Sequence, residues 1–267
     1  MTNNERIEWA KNFHRVNRTF GIQFYPKVKE SLDKVVSSLI GTIKKKGARQ
    51  ALVELRTQLW SDELTKPVSD IYKTVGVYHA NQTYKLIRRE IGEKSRNEMW
   101  AKDIEEELRK VLLQFAVVKT SETLRNHLVL VLQKAILKEM TVDEIVKLFT
   151  DSGFTKMQAN RIVRTEVNRA ANTGTKAAAD GFNYEMVKEW IAFRDSRTRG
   201  FKPDQPKDHY DMDGQVVDYF SNFTDPRSGE QIEYPLAPSG SAAMVINCRC
   251  SYIVVPKRDE NGRLIRR

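Results

Sequence analysis

Apolar and polar residues recur along the first two-thirds of the chain with the period of a helix. In "PKVKESLDKVVSSLIGTIKKKG", starting at Pro26, the residues Val28, Leu32, Val35, Val36, Leu39, Ile40 and Ile43 fall on one stripe. That spacing predicts an amphipathic helix. Pro26 suits its first turn and Gly47 its stop. The pattern continues through Leu52, Leu55 and Leu59, and further amphipathic segments are predicted over 69–92 and 103–115. Residues 121–140, "SETLRNHLVLVLQKAILKEM", are more apolar and are expected at the centre of a bundle. Two capping boxes then predict two helix starts, Thr141 with Glu144 and Thr155 with Gln158. "DSGF" between these helices reads as a tight turn, and Gly181 ends the second helix. Arg161, Arg164, Glu166, Asn168 and Arg169 on that helix read as an exposed polar face.

Beyond Gly181 the period changes. Short β-prone runs at 186–193, 215–220, 231–236 and 250–256 are separated by loops rich in Asp, Pro, Gly and Ser. The expected fold class is α+β: a mostly α-helical N-terminal two-thirds followed by a small β-rich C-terminal domain. Its expected divisions are a basic helical region over 1–183, a compact β-rich module over 184–256 and a mobile basic tail over 257–267.

Charge sharpens this division. The net charge is +10 over 267 residues. Residues 190–256 hold 7 basic and 9 acidic side chains, and the last 11 residues hold 5 and 2, which leaves +9 on the first 189. Contact with a polyanion therefore belongs to the helical part and the tail. No apolar run is long enough for a membrane span, and "MTNNERIEWAKNFHR" has no secretory apolar segment. Two cysteines are not a disulfide framework, so synthesis in a reducing cytoplasm is expected.

Residues of chemical interest concentrate near the C-terminus: Asp195, His209, Asp211, Asp213, Cys248 and Cys250. Two residues apart on a strand, both sulfurs of Cys248 and Cys250 can reach one point. Three readings stay open for them. With His209 and a carboxylate they could hold tetrahedral zinc, although the spacing of paired zinc motifs is missing. A disulfide between such near neighbours would strain the backbone. In the third and preferred reading, one cysteine packs as a small hydrophobe while the other, or Arg249 between them, organises polar loops. The acidic residues admit a second functional class, a metal-dependent enzyme on nucleic acid or nucleotide using Asp195, His209, Asp211 and Asp213. They equally suit ordinary turns. His14, His79 and His127 lie on predicted helices and read as packing or surface residues.

The order of the pieces carries a resemblance. Arg164-Thr165-Glu166 on a helix precedes Lys188-Glu189-Trp190, then Asp195-Ser196-Arg197-Thr198-Arg199, His209, Asp213-Gly214-Gln215, Tyr234-Pro235 and Asn247-Cys248-Arg249-Cys250. Over residues 155–256 this set resembles the phage Mu F-like minor head proteins, the head-morphogenesis family of tailed phages. The family often continues Tyr-Pro with Gly-Asp-Pro, where this chain has Leu236-Ala237-Pro238. The resemblance implies a non-enzymatic, few-copy component of the virion interior near the portal vertex, made in the host cytoplasm. It implies the portal protein and packaged double-stranded DNA as partners, with capsid or scaffolding protein as further candidates. No cofactor other than the candidate zinc is implied. Some relatives carry this module ahead of a toxin domain; with 11 residues after Pro256, none is expected here.

Overall fold

In the computed structural model, residues 3–57, 61–92, 106, 108–110, 116–151 and 153–267 are described. Leu59, most of the predicted segment 103–115, and Ser152 of the expected turn lie outside them. The helices are α1 (Asn3–Thr57), α2 (Ser61–Ile71), α3 (Val77–Ile91), α4 (Val117–Leu137), α5 (Val142–Thr150), α6 (Phe154–Asp180) and the short α7 (Ala242–Val245), with a π-turn at Tyr72–Gly76 between α2 and α3. The α+β reading holds: helices fill the first two-thirds, and a small antiparallel sheet follows. No helix among the described residues is long and apolar enough to cross a membrane.

Helix α1 corrects the expected start at Pro26, which lies inside the helix. An interior proline forfeits one backbone hydrogen bond. Phe24 and Val28, buried on either side of it, anchor the helix before and after the gap. The expected stop at Gly47 is real as a bend, where the backbone leaves helical geometry at φ 80° and ψ 163°. The predicted stripe is buried at Val28, Leu32, Val35, Val36, Leu39 and Ile43. Helix α4 was expected to be central, yet it buries one face through Leu124, Leu128 and Leu132 and exposes Leu130 and Leu137. The capping box at Thr141 forms: the Glu144 amide donates to Thr141 Oγ1 at 3.3 Å, and the Thr141 amide donates to Glu144 Oε2 at 2.7 Å. The second box does not, because α6 already begins at Phe154 and Gln158 is buried.

The chain divides into two compact units. One comprises Met1–Gly21, Ile71–Val111 and Arg164–Arg267; the other comprises Ile22–Asp70 and Leu112–Val163. The first holds the sheet. Strand β1 (Met186–Ile191) lies between β2 (Val216–Asp218) and β5 (Ser251–Pro256), antiparallel to both. Val187 faces Asp218 on one side and Val255 on the other, and Trp190 faces Tyr252. A two-residue ribbon joins β3 (Phe223–Thr224) to β4 (Gln231–Ile232). The strands are shorter than expected. Past Ile191 the amide of Ala192 is taken by the Asp213 carboxylate, and Arg194 turns to φ 53°. In the 231–236 run, Pro235 lacks an N–H and Leu236 takes φ 67°.

The core of this unit joins Trp190, Phe223, Tyr234, Tyr252, Met212, Met244, Cys248 and Cys250 to Ile87 of α3, to Ala179 at the end of α6 and to Phe182 just beyond it. Helix α6 meets the π-turn backbone to backbone: a Cβ on Gly174 would sit 2.1 Å from the Gly76 carbonyl oxygen. The tail, expected to be mobile, folds back. Arg258 bridges to Leu264, Arg266 bridges to Tyr184, and the Arg258 guanidinium donates to the Glu90 carbonyl at 2.7 Å.

Candidate functional site

The long loop from Ala192 to Gln215 and the segment before β5 carry most of the motif residues. Asp195 opens the loop. Its carboxylate receives both guanidinium nitrogens of Arg249, one at 2.8 Å, and the Arg197 amide at 2.9 Å. The Asp195 amide donates to Thr198 Oγ1 at 3.2 Å, closing a small turn. The hydrogen bonds from Arg249 come first among the causes that hold the Asp195 carboxyl well below the usual carboxylate range. Arg199 reaches over and donates to the Ile246 carbonyl. Arg197 stays exposed, as does Arg164 on α6; desolvation and the nearby charges of Arg197 and Arg249 lower the pKa of Arg164.

At the end of the same loop, Asp213 accepts from the Ala192 amide at 2.8 Å and pairs with Arg6 of α1 at 3.0 Å. Gly214 sits at φ 82°, where a side chain would be strained, and its amide donates to the Trp190 carbonyl. Gln215 pairs with the backbone of Thr224 in both directions, at 2.7 and 3.0 Å. Asp195, Asp213 and Gln215 thus each fasten one backbone segment to another.

The centre is buried. His209, Cys248 and Cys250 are 1%, 2% and 3% exposed. His209 Nδ1 lies 3.4 Å from Cys248 Sγ and 3.6 Å from Cys250 Sγ, and its Nε2 lies 3.0 Å from Met244 Sδ. Trp190 stands edge-on to the imidazole, 5.4 Å between centroids. Both cysteines are free and precede β5 rather than lying on it. Burial and the neighbouring Cys248 sulfur push the Cys250 thiol up. Burial also disfavours the Cys248 thiolate, but the Cys250 thiol, His209 and Arg199 outweigh it and hold Cys248 low.

Helix α6 positions this segment from outside. The Asn168 side-chain amide donates to the Cys248 carbonyl at 3.0 Å and Asn172 donates to the Cys250 carbonyl at 3.1 Å, one helical turn apart. Thr165 Oγ1 accepts from the Asn247 amide at 3.1 Å. Asn168 also accepts from Asn17 at 2.9 Å, and Asn17 Oδ1 sits 2.8 Å from His79 Nε2. The expected exposed face of α6 is therefore corrected: Glu166, Asn168 and Arg169 are buried. Arg169 donates to Glu166 at 2.5 Å and to the Leu236 carbonyl at 3.2 Å, and Tyr72 donates to Glu166 at 3.4 Å. At Leu236 the backbone is left-handed, the conformation glycine adopts without cost. Leu236 holds this turn with its side chain buried.

Asp195, Asp211 and Asp213 do not gather around His209. Among the described residues, the cluster with metal-ligating geometry is His209 with Cys248 and Cys250. Sequence reasoning read Asn168 as exposed and missed Asn17, Asn172, Asp225, Arg227 and Asp208. The last three form a second loop clasp, with Arg227 paired to Asp208 and the Asp208 amide donating to Asp225 at 2.9 Å. The one signal available was the i, i+4 spacing of Asn168 and Asn172 on a predicted helix.

Compared with known protein families, residues 125–253 match the family described as phage Mu protein F like protein. Over this segment the chain is similar to that family. The match begins at 125 rather than at 155, so α4 from residue 125 onward and all of α5 fall within the matched segment along with the motif-bearing loops. The family suggests phage head morphogenesis and a component of the virion. No curated protein and no solved structure matches the chain.

Proposed function

We propose that this protein is a non-enzymatic minor head protein that docks at the portal, contacts packaged DNA and acts in head assembly or DNA delivery. The observation that carries the reading is the Mu F-like match over residues 125–253, with its motif residues used to bind loops to one another. Asp195, Arg249, Asp213 and Gln215 all have partners within the fold, which suits architecture better than turnover. The basic helical region supports the DNA contact. Lys44, Lys45, Lys46 and Arg49 are exposed around the Gly47 bend, where they can meet phosphates without reading bases.

The test pairs two measurements on the full chain: co-purification with the portal ring of the same phage, and binding to duplex DNA of arbitrary sequence over a salt series. The reading expects portal capture, and affinity that falls steeply with salt. Replacing Lys44 and Lys45 with Ala should flatten the salt slope by roughly one unit per lysine. Binding to neither portal nor DNA at low salt overturns it, and metal-dependent nicking of plasmid would favour the enzyme reading instead.

A further inference from the structure

We propose that His209, Cys248 and Cys250 hold a structural zinc ion, through imidazole Nδ1 and two thiolate sulfurs. The inference stands on side-chain geometry and is independent of the phage-head reading.

The distances come first. Zinc bound tetrahedrally at about 2.3 Å from sulfur and about 2.0–2.1 Å from nitrogen places those donors roughly 3.5 Å apart. The two sulfur–Nδ1 distances are 3.4 and 3.6 Å, and all three donor atoms lie within 4.8 Å of one another. Hydrogen bonding alone accounts poorly for this arrangement. Nδ1 offers one lone pair in the ring plane, so it can accept from one thiol and not from two. A cation between the three atoms uses every one of them.

Two hydrogen-bond contacts suit a metal-ligand arrangement. With Nε2–H directed at Met244 Sδ, 3.0 Å away, Nδ1 is left as the lone-pair nitrogen facing the sulfurs. The Cys250 amide donates to Cys248 Sγ at 3.4 Å, which favours a thiolate there. Trp190 is fully buried beside this cluster, and its indole N–H has no regular hydrogen-bond partner among the described residues.

The ligand-bearing segment is also fixed in advance. Asn168 and Asn172 hold the two cysteine carbonyls, and Thr165 holds the amide of Asn247. On binding, each thiol loses its proton to solvent and its sulfur lone pair goes to the ion, so two protons leave and the two thiolates neutralise Zn²⁺. That balance suits a buried site. Three protein ligands is also the number that catalytic zinc uses when it keeps a fourth position open. Here the burial of all three closes the site to substrate.

The experiment uses the full chain purified without chelator. Elemental analysis should find one zinc per chain, removed by a strong chelator with a drop in melting temperature and restored by adding zinc. Exchange for Co²⁺ should give thiolate-to-cobalt charge-transfer absorption and intense tetrahedral bands in the visible. The double variant Cys248→Ser, Cys250→Ser should lose both metal and spectrum. Zinc retained in that variant would mean adventitious binding elsewhere and overturn the site. So would a content far below one per chain after refolding with zinc, or a cobalt spectrum without the thiolate band. Should the double variant fail to fold, the wild-type chain still decides. Its two thiols should resist alkylation until chelator is added, and prompt alkylation without chelator, or a Cys248–Cys250 disulfide, sinks the proposal.

Discussion

Arg249, lying between the two cysteines, grips Asp195 with both arms of its guanidinium, 54 residues away along the chain. Arg249 is nearly buried and Asp195 is partly shielded, so the pair is stronger than a surface ion pair. Replacing Asp195 with Asn keeps the shape and removes the charge. It should cost about 1–3 kcal/mol in urea unfolding. A double-mutant cycle with Arg249→Met should return a coupling energy of similar size; additive single costs would show that the two residues act separately.

The buried pair on α6 predicts a larger effect. Arg169→Met strips Glu166 of its guanidinium inside the protein and should destabilise by about 3–5 kcal/mol. Adding Glu166→Gln should recover much of that loss, because no buried charge then remains. Equilibrium denaturation of the three variants checks the order of stabilities.

What could be read from the sequence divides along physical lines. The Thr141 capping box was legible because both partners lie within one turn. The stripe on α1 was legible because apolar periodicity records burial directly. The ordered motif set led to the Mu F-like family, which the segment 125–253 bears out. The burial of Glu166, Asn168 and Arg169 was not legible. A polar stripe at helical spacing looks the same whether it faces water or buried partners, and those partners, Tyr72, Cys248 and Leu236, lie 67 to 94 residues away. The fold-back of the tail was hidden for the same reason, since Arg258 finds its carbonyl at Glu90, 168 residues earlier.

His79 makes the protein acid-sensitive. Burial lowers its pKa from 6.5 to about 3, so the folded form keeps the ring neutral where the unfolded chain would protonate it. The unfolded state then binds the extra proton, and stability falls as pH drops from 6.5 toward 3, by at most about 1.4 kcal/mol per pH unit. Between pH 7 and pH 5 the wild type should lose about 1–2 kcal/mol more than His79→Gln, as measured by denaturant midpoints. Equal losses would show that His79 is not the group responsible.

Two glycines should respond in opposite ways to alanine. At Gly174 the new Cβ would press on the Gly76 carbonyl at 2.1 Å, and backbone cannot yield as a side-chain tip can. Gly174→Ala should cost about 3 kcal/mol or more. At Gly41, within α1, the Cβ meets nothing within 4 Å, and the change should stabilise by about 0.5–1 kcal/mol through helix propensity. Thermal melts of both variants check the contrast.

The interleaving of the two units has a consequence for synthesis. The unit built from Ile22–Asp70 and Leu112–Val163 has all its residues once the chain has been made to Val163. The other opens with Met1–Gly21 but draws most of its residues from Arg164–Arg267. Asn17 and His79, made before it, meet Asn168 and through it the Cys248 carbonyl only when the chain through Cys248 has left the ribosome. One unit can therefore mature before the residues from Arg164 onward are made, whereas the other closes only once they have emerged. Until then Met1–Gly21 waits for its partners in Arg164–Arg267.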